Sequence, residues 1–174
     1  RRNRLALDAL AVTQRQQDRP DHGHQKHEAC RLNGNCGEAF ATLGFVLERT
    51  GERDDAQAAL RRAATLEPYN WRHLLRLSYG TWGDERLRAA HQVLTLLPGC
   101  PMAHLLAATV FVARDALTQA ERELDAGLAA MAGESESLEP FTTPALHWLK
   151  GLLWLARDRH DAALAAFERE LALE

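Results

Sequence analysis

The chain has 174 residues, a length that fits one domain or one short array of repeats. Hydrophobic residues make up 46% of it and charged residues 26%, a balance that supports a packed core and excludes a disordered chain. Its formal net charge of −3 argues against a general binder of nucleic acid or of anionic membranes, because those surfaces attract a basic excess.

The first part of the chain predicts one helix and a connection. Residues 1–17 predict an amphipathic helix with Leu5, Ala9 and Val12 on one face, and residues 18–36 predict an irregular connection. Charged and polar residues interrupt the helix, so it does not match the apolar core of a signal peptide. No apolar run in the chain reaches the roughly 18 to 20 residues that span a bilayer.

The two ends of the sequence and its amino-acid composition indicate what kind of protein and genome it comes from. The sequence does not begin with Met and it ends within a periodic segment, so we expect a fragment of a longer protein. With no signal in view, the expected location is the cytoplasm. Of the 21 basic residues only Lys26 and Lys150 are lysines, and this bias towards Arg is typical of GC-rich bacterial genomes.

The predicted connection concentrates side chains that bind metals, namely His22, His24, His27, Cys30 and Cys36. Imidazole and thiolate are natural ligands of zinc, but the spacing matches no standard zinc motif. We therefore interpret the segment as a polar connection and predict no metal or other cofactor. A metal site built from these residues is one alternative. A disulfide between Cys30 and Cys36 is another, and it would need an oxidising compartment.

Residues 37–70 carry the pattern of one complete helical hairpin. Large side chains recur at helical spacing, Gly51 marks a turn, Pro68 ends the second half, and Asn70 is placed to cap the next helix. A unit of this length cannot bury its apolar face alone, so copies of it must stack. The positions that define the pattern are Phe40, Leu43, Gly44, Leu47, Ala56, Leu60, Ala63 and Pro68.

The pattern returns in residues 71–100, 101–134 and 144–174. The copy in the middle of the chain departs from it in two ways. Residues 71–100 are four residues short, which predicts a shortened turn near residues 81–84. Arg86 stands where the first copy has a small alanine. Almost nothing in the chain alternates with period two, so no strand is predicted.

These units resemble the tetratricopeptide repeat (TPR) family. In this family, small residues let the two helices of each hairpin approach closely, and large residues fill the gaps between them. The resemblance implies an all-α fold for residues 37–174, a superhelical solenoid of antiparallel helical hairpins. A generic helical bundle with accidental spacing is the alternative, because periodicity alone does not separate the two.

The resemblance also implies a binding surface, since in this family the first helix of each repeat lines a concave groove. Here the groove would be strongly apolar and suited to a hydrophobic peptide, an amphipathic helix or a neighbouring domain of the same chain. Two alternatives are that neighbouring repeats or a loop around Phe141 cover several of these residues, or that the protein self-associates through them. The residues expected in the groove are Phe45, Arg72, Leu75, Arg76, Tyr79, Trp82, Met102, Leu105, Thr109, Trp148 and Leu152.

Some members of the family hold the carboxylate tail of chaperones in a basic clamp. Arg72 and Arg76 lie one helical turn apart, and two guanidinium groups on one face can hold a carboxylate. However, Thr42 stands where the clamp needs Asn, so the clamp is incomplete and chaperone binding is not predicted. A solvated basic face is the simpler interpretation.

The sequence shows no glycine-rich phosphate loop, nucleophile elbow or metalloprotease motif, and we predict that the protein is not an enzyme. The function that the sequence favours is a scaffold module for protein–protein interaction, without nucleic-acid or membrane partners. A metal-responsive regulatory domain using residues 22–36, or a self-association module forming a homo-oligomer, are the alternatives.

Overall fold

The structure is a computed structural model that describes residues 36–132 and 145–173. The predicted N-terminal helix and nearly all of the connection after it lie outside the described residues, as do residues 133–144.

The described residues form eight α-helices and no strand. This confirms the all-α prediction. The helices are α1 (Gly37–Thr50), α2 (Arg53–Leu66), α3 (Trp71–Gly80), α4 (Gly83–Leu96), α5 (Pro101–Ala113), α6 (Leu117–Ala132), α7 (Leu146–Leu155) and α8 (His160–Leu171). None of these helices is long and apolar enough to cross a membrane.

Consecutive helices pair into four antiparallel hairpins, and each hairpin packs on the next. The first helices of neighbouring hairpins also touch, α1 with α3 and α3 with α5. The second helices of these hairpins make no comparable contact within the described part of the chain. The stack therefore curves, with α1, α3 and α5 gathered on its inner side. This is the solenoid that the sequence predicted.

Small residues set the close approach of the two helices within a hairpin. A Cβ atom on Gly44 of α1 would lie 2.7 Å from Cγ of Leu60 and 3.1 Å from the carbonyl oxygen of Ala56, both on α2. In the last hairpin, a Cβ on Gly151 would lie 2.6 Å from the ring of Phe167. The glycines thus let large side chains of the second helix lie directly against the backbone of the first.

The second hairpin is four residues shorter than the first because its first helix is shorter. Helix α3 has 10 residues, whereas α1 has 14. The link to the next helix is two residues long in both hairpins, Gly51 and Glu52 in the first and Thr81 and Trp82 in the second. The prediction of a shortened turn is therefore wrong, because the last turn of the helix is missing instead. Asn70 caps α3 as predicted, since its side chain accepts a hydrogen bond from the N–H of Arg72 at 3.2 Å.

The core consists of two hydrophobic clusters that meet in α5. The first runs from α2 to α5 and ends at Ala107, and the second begins at Ala108 and runs to α7. Cys100 lies in the first cluster, where burial raises the pKa of its thiol. Each cluster therefore spans more than one hairpin, as stacked repeats require.

Candidate functional site

Several side chains at positions predicted to line the groove are large, apolar and in contact with solvent. Tyr79, in the last turn of α3, is 62% exposed, and Trp82, in the extended link before α4, is 59% exposed. Five of the predicted groove residues are exposed large apolar side chains, and Leu155, one turn after Leu152 on α7, is exposed as well; the six are Phe45, Tyr79, Trp82, Trp148, Leu152 and Leu155. We refer to these six side chains as the apolar patch.

Four other predicted groove residues take part in packing between repeats. Leu75 is only 1% exposed and lies in the first core cluster. Met102 packs against the same cluster, and Leu105 packs against the second. The hydroxyl of Thr109 donates to the carbonyl of Leu106 at 2.7 Å and accepts a bond from an arginine of α4. These positions leave little surface for a partner.

The two arginines singled out in the sequence do not converge. The guanidinium of Arg72 lies over the ring of Trp71, 4.6 Å from its centroid. Nη1 of Arg76 lies 3.5 Å from a carboxylate oxygen of Glu38, close enough for an ion pair but without the geometry of a hydrogen bond. Arg76 therefore has a carboxylate at hand already, and the pair forms no joint carboxylate site.

The structure brings out another arginine, Arg86 of α4, whose role the sequence did not reveal. Its Nε donates to the carbonyl oxygens of Ser78 at 3.1 Å and Thr81 at 2.9 Å. Its Nη2 donates to the carbonyl of Tyr79 at 3.2 Å, and its Nη1 to Oγ1 of Thr109 at 3.2 Å. The sequence showed that an arginine replaces the small residue expected at this position, but it did not show what the arginine contacts.

Arg86 also holds the edge of the apolar patch. The ring centroid of Trp82 lies 4.2 Å from the guanidinium carbon, a cation–π distance. Because the same guanidinium bonds the carbonyl of Tyr79, it holds the ring of Trp82 beside the end of α3.

At the junctions between repeats, titratable side chains contact one another. Glu123 of α6 accepts from Nδ1 of His104 at 2.8 Å, and Nε2 of His91 lies 3.5 Å from its other oxygen. Nε2 of His104 also faces the carbonyl of Pro98 at 3.2 Å. The hydrogen bond from His104, more than the nearby positive charge, holds the pKa of Glu123 below its usual range despite burial. This cluster joins α4, α5 and α6.

A similar contact joins the first two repeats. The carboxylate of Glu67 lies 2.9 Å from the amide nitrogen of Asn70 and 3.1 Å from Nε2 of His73, whose side chain is fully buried. The bond from Asn70 is the main cause that lowers the pKa of Glu67. Both clusters lie between repeats, and neither includes a Ser, Thr or Cys side chain that could act as a nucleophile. Their geometry therefore suits structural pairing.

A further concavity of about 540 Å³ lies between α6, α7 and α8. Its lining combines apolar and basic groups and shares no residue with the apolar patch. The lining residues are Leu128, Ala129, Met131, Ala132, His147, Lys150, Arg169 and Leu173.

The described residues contain no group of three or more His, Cys, Asp or Glu side chains placed to hold a metal ion. The candidates His22, His24, His27 and Cys30 lie outside the described residues. Cys36, the remaining candidate, precedes α1, is half-buried and has a free thiol. The metal-site alternative thus stays a prediction.

A curved stack of antiparallel hairpins, with close-packed small residues inside each hairpin, is a TPR-like helical-repeat fold. The resemblance inferred from the sequence is therefore confirmed at the level of the fold. No family model and no curated protein sequence matches the chain.

Solved structures show the same architecture. MamA (residues 41 to the end) from Desulfovibrio magneticus RS-1 superposes with a TM-score of 0.69 at 15% identity, over 87% of this chain and 82% of that one. TTC0263, a TPR protein in Thermus thermophilus, gives 0.65 at 19% identity, over 97% and 88%. PilF of Pseudomonas aeruginosa gives 0.66 at 15% identity, over 86% and 66%. At these identities the likeness shows the fold alone.

Proposed function

We propose that the protein is a non-enzymatic interaction scaffold that holds an apolar segment of a protein partner on its inner surface. The segment would be a short hydrophobic peptide, an amphipathic helix or a neighbouring domain of the same polypeptide. Helical-repeat folds in general present extended concave surfaces for such contacts. The observation that supports the proposal is the apolar patch, because large apolar side chains that stay exposed at repeat positions expected in the groove are typical of interaction sites.

The patch has two parts with suitable chemistry. Tyr79 and Trp82 are exposed aromatic side chains at the end of the first helix of the second repeat, and Tyr and Trp are among the side chains most enriched at energetic centres of interfaces. Trp148, Leu152 and Leu155 are spaced four and three residues apart on α7, which puts them on one helical face. Such a stripe fits the apolar face of a partner helix.

The proposal is tested with short random peptides displayed on phage and selected on the immobilised protein. The affinity of the best peptide is then measured for Tyr79→Glu and for Trp148→Glu. A buried carboxylate in the interface should weaken binding by at least about tenfold, equal to about 1.4 kcal/mol. Circular dichroism should show that both variants keep their helical content, because both side chains are exposed.

Tyr69→Glu is the matched control. Tyr69 is 84% exposed but lies in the turn between α2 and α3, outside the patch. This variant should bind like the unchanged protein. Peptide affinities that ignore the changes at Tyr79 and Trp148 would contradict the assignment of the patch. A sedimentation experiment that finds a dimer dissociated by both patch variants would identify a second copy of the chain as the occupant.

A further inference from the structure

Arg86 occupies a place where the other repeats have small residues. The equivalent residues Ala56, Ala120 and Ala163 are fully buried between the helices of their hairpins. At Arg86 only the backbone keeps this contact, since its carbonyl accepts a hydrogen bond from the hydroxyl of Ser78 at 3.1 Å. The side chain instead extends to the end of α3, the helix that is a turn shorter than its counterpart.

The guanidinium is held by four oxygens from two repeats. The carbonyls of Ser78, Tyr79 and Thr81 lie at the C-terminal end of α3, where a helix presents unpaired carbonyls and the negative end of its dipole. The hydroxyl of Thr109 comes from the third repeat. These bonds fix the position and the plane of the cation before any ligand arrives.

The charge of this cation is not balanced by a carboxylate. Among the residues that the structure describes, no acidic group lies within ion-pair distance of Arg86. The nearby Asp84 pairs with Arg114 at 2.5 Å, and Glu85 pairs with Arg61 at 2.6 Å. Burial is the main cause that lowers the pKa of Arg86 from its ordinary value, so the group is partly removed from water. A cation in such surroundings gains strongly from an anionic partner.

Donor groups remain for such a partner. A guanidinium has five N–H groups. Nε donates to two of these four oxygens, and Nη1 and Nη2 donate to one each. Each terminal nitrogen therefore keeps one N–H without an acceptor among the described residues. A carboxylate can accept from both terminal nitrogens at once.

The other arginines of the inner side differ from Arg86. Arg76 has Glu38 as its carboxylate partner, and Arg72 is exposed to solvent. Contacts of fully solvated charges contribute little, because water screens them. Arg86 is the one of the three that combines partial burial with the absence of a carboxylate partner in the described part of the chain.

We infer that Arg86 is the anion anchor of the groove: the partner segment places a carboxylate on its guanidinium and an apolar side chain on Tyr79 and Trp82. The inference rests on the proposed function and names the chemistry of the partner, an acidic side chain next to a large apolar residue. The 4.2 Å stacking of Trp82 on Arg86 puts the two halves of this site side by side.

The test uses a pair of small probes of equal size, 3-phenylpropionate and its neutral amide 3-phenylpropionamide. Each is titrated into ¹⁵N-labelled protein while the side-chain N–H signals of Arg86 and Trp82 are followed by NMR. The carboxylate should shift both signals saturably and bind at least about fivefold more tightly than the amide, and added salt should reduce this difference.

Variants locate the effect. Arg86→Met should remove the preference for the carboxylate. Arg86→Lys should reduce this preference, because lysine keeps the positive charge but lacks the two terminal nitrogens that a carboxylate can bridge. Arg88→Met is the matched control, because Arg88 is exposed on the same helix, and it should keep the full preference. If Arg86→Met does not fold, the comparison of the two probes on the unchanged protein and on Arg86→Lys still decides.

The possible failures are distinct. Equal binding of both probes at Trp82 would overturn the anion anchor and leave the apolar groove in place. Binding of the carboxylate that shifts neither Arg86 nor Trp82 would overturn the anchor as well. If neither probe shifts Trp82 at any concentration, the anchor fails, and the proposed function loses the surface on which it rests.

Discussion

Ser78 and Gly44 occupy equivalent places in the first helices of two neighbouring repeats, and each shows how one side chain adapts a shared pattern. Gly44 leaves room for Leu60 to lie against the helix backbone. Ser78 fills the same place with a hydroxyl that bonds the backbone of Arg86 at 3.1 Å. The repeat pattern requires only a small residue at this position. The residue that it contacts on the second helix of the hairpin determines which small residue fits.

Replacing Gly44 tests this packing. Gly44→Ala should lower the free energy of unfolding by about 1–3 kcal/mol, because the new methyl group would overlap the core side chain of Leu60 and crowd the carbonyl of Ala56. This loss exceeds the gain of up to about 1 kcal/mol from the better helix propensity of alanine. The midpoint of urea denaturation measures the change.

Gly99→Ala is the control with the opposite sign. A Cβ at Gly99 meets nothing within 4 Å, so the substitution should stabilise by about 0.4–1 kcal/mol through the unfolded chain. Equal effects of the two substitutions would show that the close approach at Gly44 does not limit the packing.

At the scale of the elements, the interactions at helix ends decide the lengths of helices. The sequence showed that the second repeat is four residues short, but the length of the repeat is the same whether its helix or its turn is shortened. The choice depends on Arg86, which bonds the last carbonyls of α3 and so ends the helix at Gly80. A contact between residues on two helices determines this boundary, and periodicity carries no information about it.

The cluster that joins α4, α5 and α6 predicts a dependence on pH. The hydrogen bond from His104 lowers the pKa of Glu123 in the folded state below the ordinary value of 4.5. The stability from Glu123 is therefore fully present above about pH 4.5 and is lost as the pH falls through the lowered folded value. Glu123→Gln should destabilise the protein at neutral pH by about 1.5–3 kcal/mol, the usual contribution of a hydrogen bond to a charged group.

Thermal denaturation of both proteins between pH 3 and pH 7 measures this effect. The difference in stability should shrink towards acid, because the carboxylate of the unchanged protein is then protonated too. Asp125→Asn, which removes an exposed carboxylate from the same helix, should change stability by less than about 1 kcal/mol. A difference between Glu123→Gln and the unchanged protein that stays constant over this range would rule out the linkage to Glu123.

At the scale of the whole molecule, the sequence predicted the class of fold but not which of the residues expected in the groove would be buried and which exposed. Leu75 and Phe45 are both expected on the inner face, yet Leu75 lies in the core and Phe45 is exposed. The difference arises because α3 lies between two first helices, α1 and α5, whereas α1 touches only α3 among them. Such a difference depends on the curvature of the stack, which spacing along one chain does not specify.

The two core clusters predict how the stack loses structure. Leu75→Ala should destabilise the molecule by about 2–5 kcal/mol, because it opens a cavity in the cluster that runs from α2 to α5. Since stability in stacked repeats is carried by contacts between neighbours, hydrogen exchange should accelerate more in α2 to α5 than in α6 to α8. Leu164→Ala, which removes an exposed side chain, should leave exchange nearly unchanged. If Leu75→Ala instead weakened peptide binding without any loss of stability, Leu75 would belong to the groove, as its place in the repeat predicts, and the inner surface would have to open when a partner binds.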